Sequence, residues 1–222
     1  MGELLYKFAN VDLSNFYLDL VKDRLYIDAH NSDRRRAALT VIFHALHTLT
    51  RLIAPIVPSL AEEIFDAYRH LVPDQGASIF QYPLTTSRPP SVSLAENEED
   101  LFVQLRALRD EVNSLLDSKR REGLFGSSLE ADLQLTLFST PTSEQFVAAF
   151  KKDLADIMGV AQVHLLWLPQ SSAVGVGNPL WKEMHVTASP NQKCPRCRIN
   201  RVDAKETEDT LCTRCASILS SQ

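Results

Sequence analysis

Between Val11 and Tyr26 the apolar residues Leu13, Phe16, Tyr17, Leu20 and Val21 recur at alternating steps of three and four, the signature of one helical face. Ser32 and Asp33 then offer side-chain acceptors for the free amides that open a second helix. Along that helix Leu39, Ile42, Leu46, Leu49 and Ile53 form a seam suited to packing against antiparallel neighbours. Pro55 and Pro58 end it, since proline lacks the donor needed to continue the ladder. Ser59 with Glu62 reads as a capping box for a third helix whose Leu60, Ile64, Tyr68 and Leu71 share a face. Pro73, Asp74, Gln75 and Gly76 supply turn chemistry. The Pro-, Ser- and Thr-rich run from Gln81 to Asn97 reads as an exposed loop. A fourth helix is predicted from Glu98 to Arg121, striped by Leu101, Leu105, Leu108, Val112 and Leu115.

After Gly123 and Gly126 the period changes. Leu133, Leu135 and Leu137 alternate with polar residues, as do Val163, Leu165 and Trp167, and each run predicts a half-buried strand. Ser143 to Met158 reads as one or two short helices, and a third strand is expected near Glu183 to Thr187. The chain is thus predicted to be mainly α: an antiparallel helix bundle over residues 1–125, a small α+β domain over 126–190, and a cysteine module over 191–222. No internal repeat is evident.

Composition adds limits rather than detail. With 222 residues, 45% of them apolar, the chain can bury a sizeable core. Its first residues lack the charged and apolar regions of a signal peptide, and no apolar run reaches the roughly 18 residues of a membrane span. A net charge of −5 argues against nucleic-acid binding by overall electrostatics, so any RNA contact has to be local. Local basic clusters occur at Arg34-Arg35-Arg36, at Lys119-Arg120-Arg121, and around the cysteines at Lys193, Arg196, Arg198, Arg201 and Arg214.

All 4 cysteines lie after residue 193. Cys194-Pro-Arg-Cys197 and Cys212-Thr-Arg-Cys215 make two Cys-x2-Cys knuckles separated by fourteen residues. Each knuckle aims two sulfurs at one point, and two knuckles complete the tetrahedral thiolate cage that suits one zinc ion per chain. With four protein ligands no position stays open for water, so the ion is read as structural. A redox dithiol pair and a rubredoxin-like iron site use similar ligands. Four thiolates and Zn2+ sum to −2, which the nearby arginines would offset; the same arginines could instead meet an RNA backbone. His44 and His47, three apart on the second helix, have no carboxylate at the metal-binding spacing and are read as packing or surface residues. No Gly-x-Ser-x-Gly turn and no Gly-rich phosphate loop is present among only 7 glycines.

The order of these segments carries a resemblance. Asp12-Leu13-Ser14-Asn15-Phe16-Tyr17-Leu18-Asp19, Lys22-Asp23-Arg24-Leu25-Tyr26, Arg34-Arg35-Arg36-Ala37-Ala38, Ala54-Pro55-Ile56-Val57-Pro58 and Ala61-Glu62-Glu63-Ile64 are similar to the anticodon-binding domains of class I synthetases for isoleucine, valine, leucine and methionine. Arg109-Asp110-Glu111-Val112-Asn113, Gly126-Ser127-Ser128-Leu129-Glu130-Ala131 and the terminal cysteine module resemble the isoleucyl family in particular. Valyl enzymes instead tend to end in a coiled-coil arm. One departure is Arg198, which stands where that family commonly has a tryptophan, so a stacking role there does not carry over.

The resemblance implies the C-terminal part of a bacterial-type or mitochondrial isoleucyl-tRNA synthetase, working in the mitochondrial matrix or a bacterial cytoplasm. It implies tRNA(Ile) and the parent's catalytic domain as partners, with no membrane and no DNA. The family's His-Ile-Gly-His-like and Lys-Met-Ser-Lys-Ser-like adenylation motifs do not occur in this chain, so ATP and Mg2+ belong to the absent catalytic domain and this polypeptide is expected to be inactive alone. Backbone contacts to the anticodon stem-loop are assigned to Lys22, Arg24, Arg109, Lys119, Arg120 and Arg121. Two rivals stand beside this reading. One is a stand-alone, zinc-stabilised interaction module. The other is a DNA glycosylase, a class that ends in a similar finger but needs an N-terminal proline where this chain has Met1-Gly2.

Overall fold

A computed structural model of the chain describes residues 2–73, 76–84, 96–169, 180–204 and 211–220. It divides into two compact units, Met1–Ser93 and Leu94–Gln222.

The first unit is helical. Its opening segment runs as α1 (Gly2–Lys7), a π-helical stretch (Phe8–Leu18) and α2 (Asp19–Tyr26). A π turn holds more residues than an α turn, so side chains three and four apart no longer share one line. The predicted face is spread accordingly: of Leu13, Phe16, Tyr17, Leu20 and Val21 only Val21 is fully buried, and the others are half-buried. A turn closed by Ser32 N–H donating to the Ala29 carbonyl at 3.0 Å leads into α3 (Asp33–Ile53). The Ser32 side chain accepts from Arg35 N–H, as its N-cap position requires. The next helix, α4 (Pro58–Tyr68), begins on Pro58, whose missing donor is no loss in a first turn. Among the described residues α2 packs on α3 and α3 on α4.

Two details of the sequence reading change here. The α3 seam is rotated: Leu39 and Leu46 are exposed, while Ala38, Thr50 and Arg51 are buried. Thr50 can turn inward because its hydroxyl donates to the Leu46 carbonyl at 2.8 Å. On α4 Leu60 is exposed and Ala61, Phe65 and Tyr68 face the core, while Leu71, expected on the same face, falls in the 3-10 turn Arg69–Leu71 and is exposed. Ser59 does not cap that helix, because Val57 holds the N-cap position and no side chain bonds there. Glu62 reaches away to Ser78 Oγ and to Ile79 N–H, fixing the 3-10 turn at Ile79–Gln81. The core of this unit is Ala54, Ala61, Phe65, Tyr68, Val72 and Ile79, with Phe43, Ile53, Ile64 and Tyr82 against it. His47 belongs to this packing rather than to a metal site: its Nδ1 lies 3.0 Å from the Tyr68 hydroxyl and its ring meets Tyr82 edge-on. The turn at Pro73–Gly76 and the Gln81–Asn97 loop fall largely outside the described residues.

The second unit opens with α5 (Glu96–Arg121). Read from the sequence as the bundle's fourth helix, it lies in this unit and packs on α7 and β3. Its buried stripe is Leu101, Leu105, Leu108, Val112 and Leu116. Gly123, at φ 79°, adopts the left-handed turn that closes it, a backbone a side-chain-bearing residue enters only at a cost. Then follow β1 (Ala131–Phe138), α6 (Pro141–Phe150), α7 (Leu154–Met158), β2 (Gln162–Leu168) and β3 (Trp181–Ala188). The sheet order is β2-β1-β3, with β1 parallel to β2 and antiparallel to β3. Leu133, Leu135 and Leu137 are fully buried on one face of the central strand. Two short strands, β4 (Gln192–Lys193) and β5 (Asn200–Arg201), and the helix α8 (Thr213–Ser220) complete the chain.

The rotated seam is testable by mutation. Phe65→Ala, in the core, is expected to cost about 3–5 kcal/mol, whereas Leu39→Ala, at the surface, should change stability by less than about 0.5 kcal/mol. Urea unfolding of both variants measures the difference.

Candidate metal centre and nucleic-acid interface

The two knuckles are built by local backbone chemistry. In the first, β4 leads into Cys194, whose N–H donates to the Ile199 carbonyl at 3.1 Å while its own carbonyl accepts from Arg198 N–H at 2.9 Å. That tight reversal puts Arg198 at φ 62°, the left-handed region. In the second, Cys212 precedes α8 and Cys215 lies in its first turn, so the helix sets their spacing. Asp203 fixes the start of α8 by accepting from both the backbone N–H of Thr213, at 2.7 Å, and its hydroxyl. These bonds hold the Asp203 carboxyl below its ordinary range.

All four cysteines are buried and none is in a disulfide. Their sulfurs lie within 4.8 Å of one another, with Cys197 Sγ 4.0 Å from Cys212 Sγ. Sulfurs at the corners of a zinc tetrahedron stand about 3.8 Å apart for metal–sulfur bonds of about 2.3 Å, so little movement separates this cluster from a closed cage. The thiols are also chemically unequal. Burial pushes the Cys194 thiol up, but N–H groups of Cys212, Cys197 and Arg196 directed at its sulfur outweigh this and bring it down to about 6. The Cys212 N–H lies 3.5 Å from that sulfur. Burial pushes the Cys197 thiol up, and the Cys212 thiol to about 11. Four close, buried sulfurs in no disulfide are a donor set that a cation can hold as thiolates, so the residues fit a metal ion.

The module is tied to the sheet. Ser189 N–H donates to the Glu130 carbonyl at 2.8 Å, and Lys193 Nζ lies 2.6 Å from Glu130 Oε1. Glu130 is itself the second half of a capping box with Ser127, and the Lys193 hydrogen bond leads the effects that hold its carboxyl below the usual value. Neither Glu130 nor Asp203 was singled out as a site residue in the sequence. Only the acidic position three residues after Ser127 hints at the first, and nothing local hints at the second.

The predicted cations lie in unlike surroundings. Lys22 is exposed and paired with Asp19 at 2.9 Å, and Arg24 is half-buried. Lys119 pairs with Glu122 at 2.8 Å and Arg120 with Asp117, while Arg121 is exposed in the same helical turn. Arg109 differs: it is 5% exposed and its guanidinium donates to the Ile157 carbonyl, bracing α5 against α7. It is therefore not a surface cation, because its donor is used inside the unit. Beside it Glu111 accepts from Trp181 Nε1 at 3.0 Å, joining α5 to β3. No helix among the described residues is long and apolar enough to cross a membrane.

Residues 2–135 match the family described as the anticodon-binding domain of tRNA ligase, and the chain belongs to that family. Over nearly its whole length it is similar to isoleucine–tRNA ligases. It is 39% identical to that of Gloeobacter violaceus over 98% of the chain, 36% to that of Thermosynechococcus vestitus over 96%, and 35% to that of Brevibacillus brevis over 97%. The chain spans 22% of the first of these relatives and 23% of the other two.

Removing one thiol tests the metal centre. Cys212→Ser is expected to lose stoichiometric metal, read by elemental analysis of the purified chain. The variant should also lose the ordered NMR signals of residues 192–204 and 211–220, and a chelator should reproduce that loss in the unaltered chain.

Proposed function

We propose that this chain holds the anticodon stem-loop of tRNA(Ile) as the C-terminal part of an isoleucine–tRNA ligase. The observation that carries the reading is the joint one: an anticodon-binding family match over residues 2–135, and identity to isoleucine–tRNA ligases that continues through the cysteine module. The parent enzyme would join isoleucine to the tRNA using ATP and Mg2+ in a domain this polypeptide does not contain, so the chain by itself binds and does not charge. Zinc is the ion assigned to Cys194, Cys197, Cys212 and Cys215, since four thiolates and no open position suit a structural site of that metal. The ion holds the module closed and takes no part in the reaction. The bacterial relatives support work in a bacterial cytoplasm, or in a mitochondrial matrix that uses an enzyme of bacterial type.

Backbone contact falls to Lys22, Arg24, Lys119, Arg120 and Arg121. The pairs Lys22–Asp19, Lys119–Glu122 and Arg120–Asp117 are short-range and at the surface. Exposed pairs of this kind contribute about 0–1 kcal/mol, so a phosphate can replace the carboxylate at little cost. Arg109 acts through packing, as a positioning residue for the helix that carries Lys119 to Arg121.

The test is the salt dependence of binding to tRNA(Ile). Affinity should fall steeply as salt rises, and Arg121→Ala should weaken binding while reducing the slope of log K against log salt by about 1. Absence of measurable binding, or affinity indifferent to salt, rejects the reading.

A further inference from the structure

The face of the second unit's sheet opposite Leu133, Leu135 and Leu137 carries mostly polar side chains, with Leu166 among them. On it Gln134 is flanked in register by His164 on β2 and His185 on β3. Both imidazoles are open to solvent, with side chains 57% and 59% exposed. One row along, Asp132 lies between Gln162 and Thr187; one row the other way, Thr136 lies between Leu166 and Glu183. Asp132 and Thr136 are 7% and 2% exposed, yet Asp132 Oδ1 and Thr136 Oγ1 have no hydrogen-bond partner. A buried acceptor of this kind normally finds a donor, because leaving it unmet costs about 1–3 kcal/mol. His164 does not supply it, its Nε2 being 3.9 Å from the other carboxylate oxygen.

We propose that this face reads unstacked nucleobases of a single-stranded RNA loop, with His164 and His185 as stacking plates and Asp132 as the edge reader. The inference rests on the RNA-binding reading above and assigns it a base-contacting surface. Strands stand about 4.8 Å apart, so the two imidazoles rise about 10 Å from each other with an amide and a buried carboxylate beside them. Splayed RNA bases are held by aromatic rings, imidazole included, and by hydrogen bonds to their edges. A carboxylate that only accepts favours an edge with adjacent donors, such as N1–H and N2–H2 of guanine, so Asp132 disfavours uracil, whose single N3–H lies between two carbonyl acceptors. Glu183 adds a second negative charge, so the face suits bases rather than phosphates. Cations for the backbone stand next door: β3 leaves the sheet at Ala188 and enters the cysteine module at Gln192, where Lys193 is tied to Glu130 and Arg198 is exposed. The two carboxylates and two imidazoles do not converge as ligands, for the cysteines form the only metal-competent cluster among the described residues.

The experiment measures binding of the whole chain to a short RNA hairpin with a single-stranded loop, each loop base being replaced in turn by uridine. The unaltered chain should lose about tenfold in affinity at one loop position or more. His164→Ala and His185→Ala should each weaken binding about tenfold with an unchanged salt slope, and His185→Phe should restore it, since stacking needs a ring and not a charge. Asp132→Asn should abolish the preference against uridine. Thermal unfolding of each variant confirms that it folds. If the unaltered chain binds no RNA hairpin, both readings fall. If it binds with the expected salt dependence but all the variants match it in affinity and base preference, the sheet face is not the reader and the RNA-binding reading stands. A face used for protein contact gives that same result and overturns the proposal.

Discussion

A polar or charged side chain taken out of water needs partners that replace the ones it lost, and the arrangement of this chain follows from where such partners exist. Arg109 can lie inside the second unit because the Ile157 carbonyl, at the end of a short helix, is free to accept from it. Thr50 can face inward on α3 because its own helix supplies an acceptor. Four buried sulfurs within 4.8 Å of one another would find such a partner in a single cation, which would turn the mutual repulsion of their thiolates into attraction. The same rule makes the polar sheet face informative: there the replacement is incomplete on Asp132 and Thr136.

Legibility in the sequence tracks the same constraint. The stripe of α5 was readable because a long period of apolar residues has one way to be buried, whereas β1, expected to be half-buried, is the central strand and is buried at every position but Gln134. On α3 two lines of residues compete, and the leucine-rich line lost. Leu39 and Leu46 looked like a seam, but Ala38, Thr50 and Arg51 are the fully buried residues, and Thr50 turns inward on a hydrogen bond that a hydrophobicity pattern does not record. The first helix escaped for a different reason, since its π-helical stretch changes the angular step per residue and blurs a face counted on the α-helical period.

The candidate site divides along the same line. The clustering of the cysteines was legible because metal geometry demands a spacing, and the structure gathers all four. The braces that orient the module, Lys193 on Glu130 and Asp203 on Thr213, join residues 63 and 10 apart in the chain and have no periodic signal. Arg109 was misplaced because a basic residue on a helix looks alike in sequence whether it faces water or a carbonyl.

Charge then decides how such a chain could be selective. With a net charge of −5 it has no long-range attraction for a polyanion, so phosphate contacts at a few local cations would give register and a modest affinity. Carbonyls and carboxylates near the RNA add repulsion for the backbone but not for base edges, whose amino groups are donors. An acidic protein that grips RNA therefore gains discrimination where a basic one gains adhesion. A mixed arrangement, with arginines on the metal module and hydrogen-bonding side chains on the adjoining sheet, lets the backbone be held at one place and the bases judged at another. An ion held by the cysteines would matter to both tasks, since a closed module would keep the arginines at a fixed distance from the strand that carries Asp132.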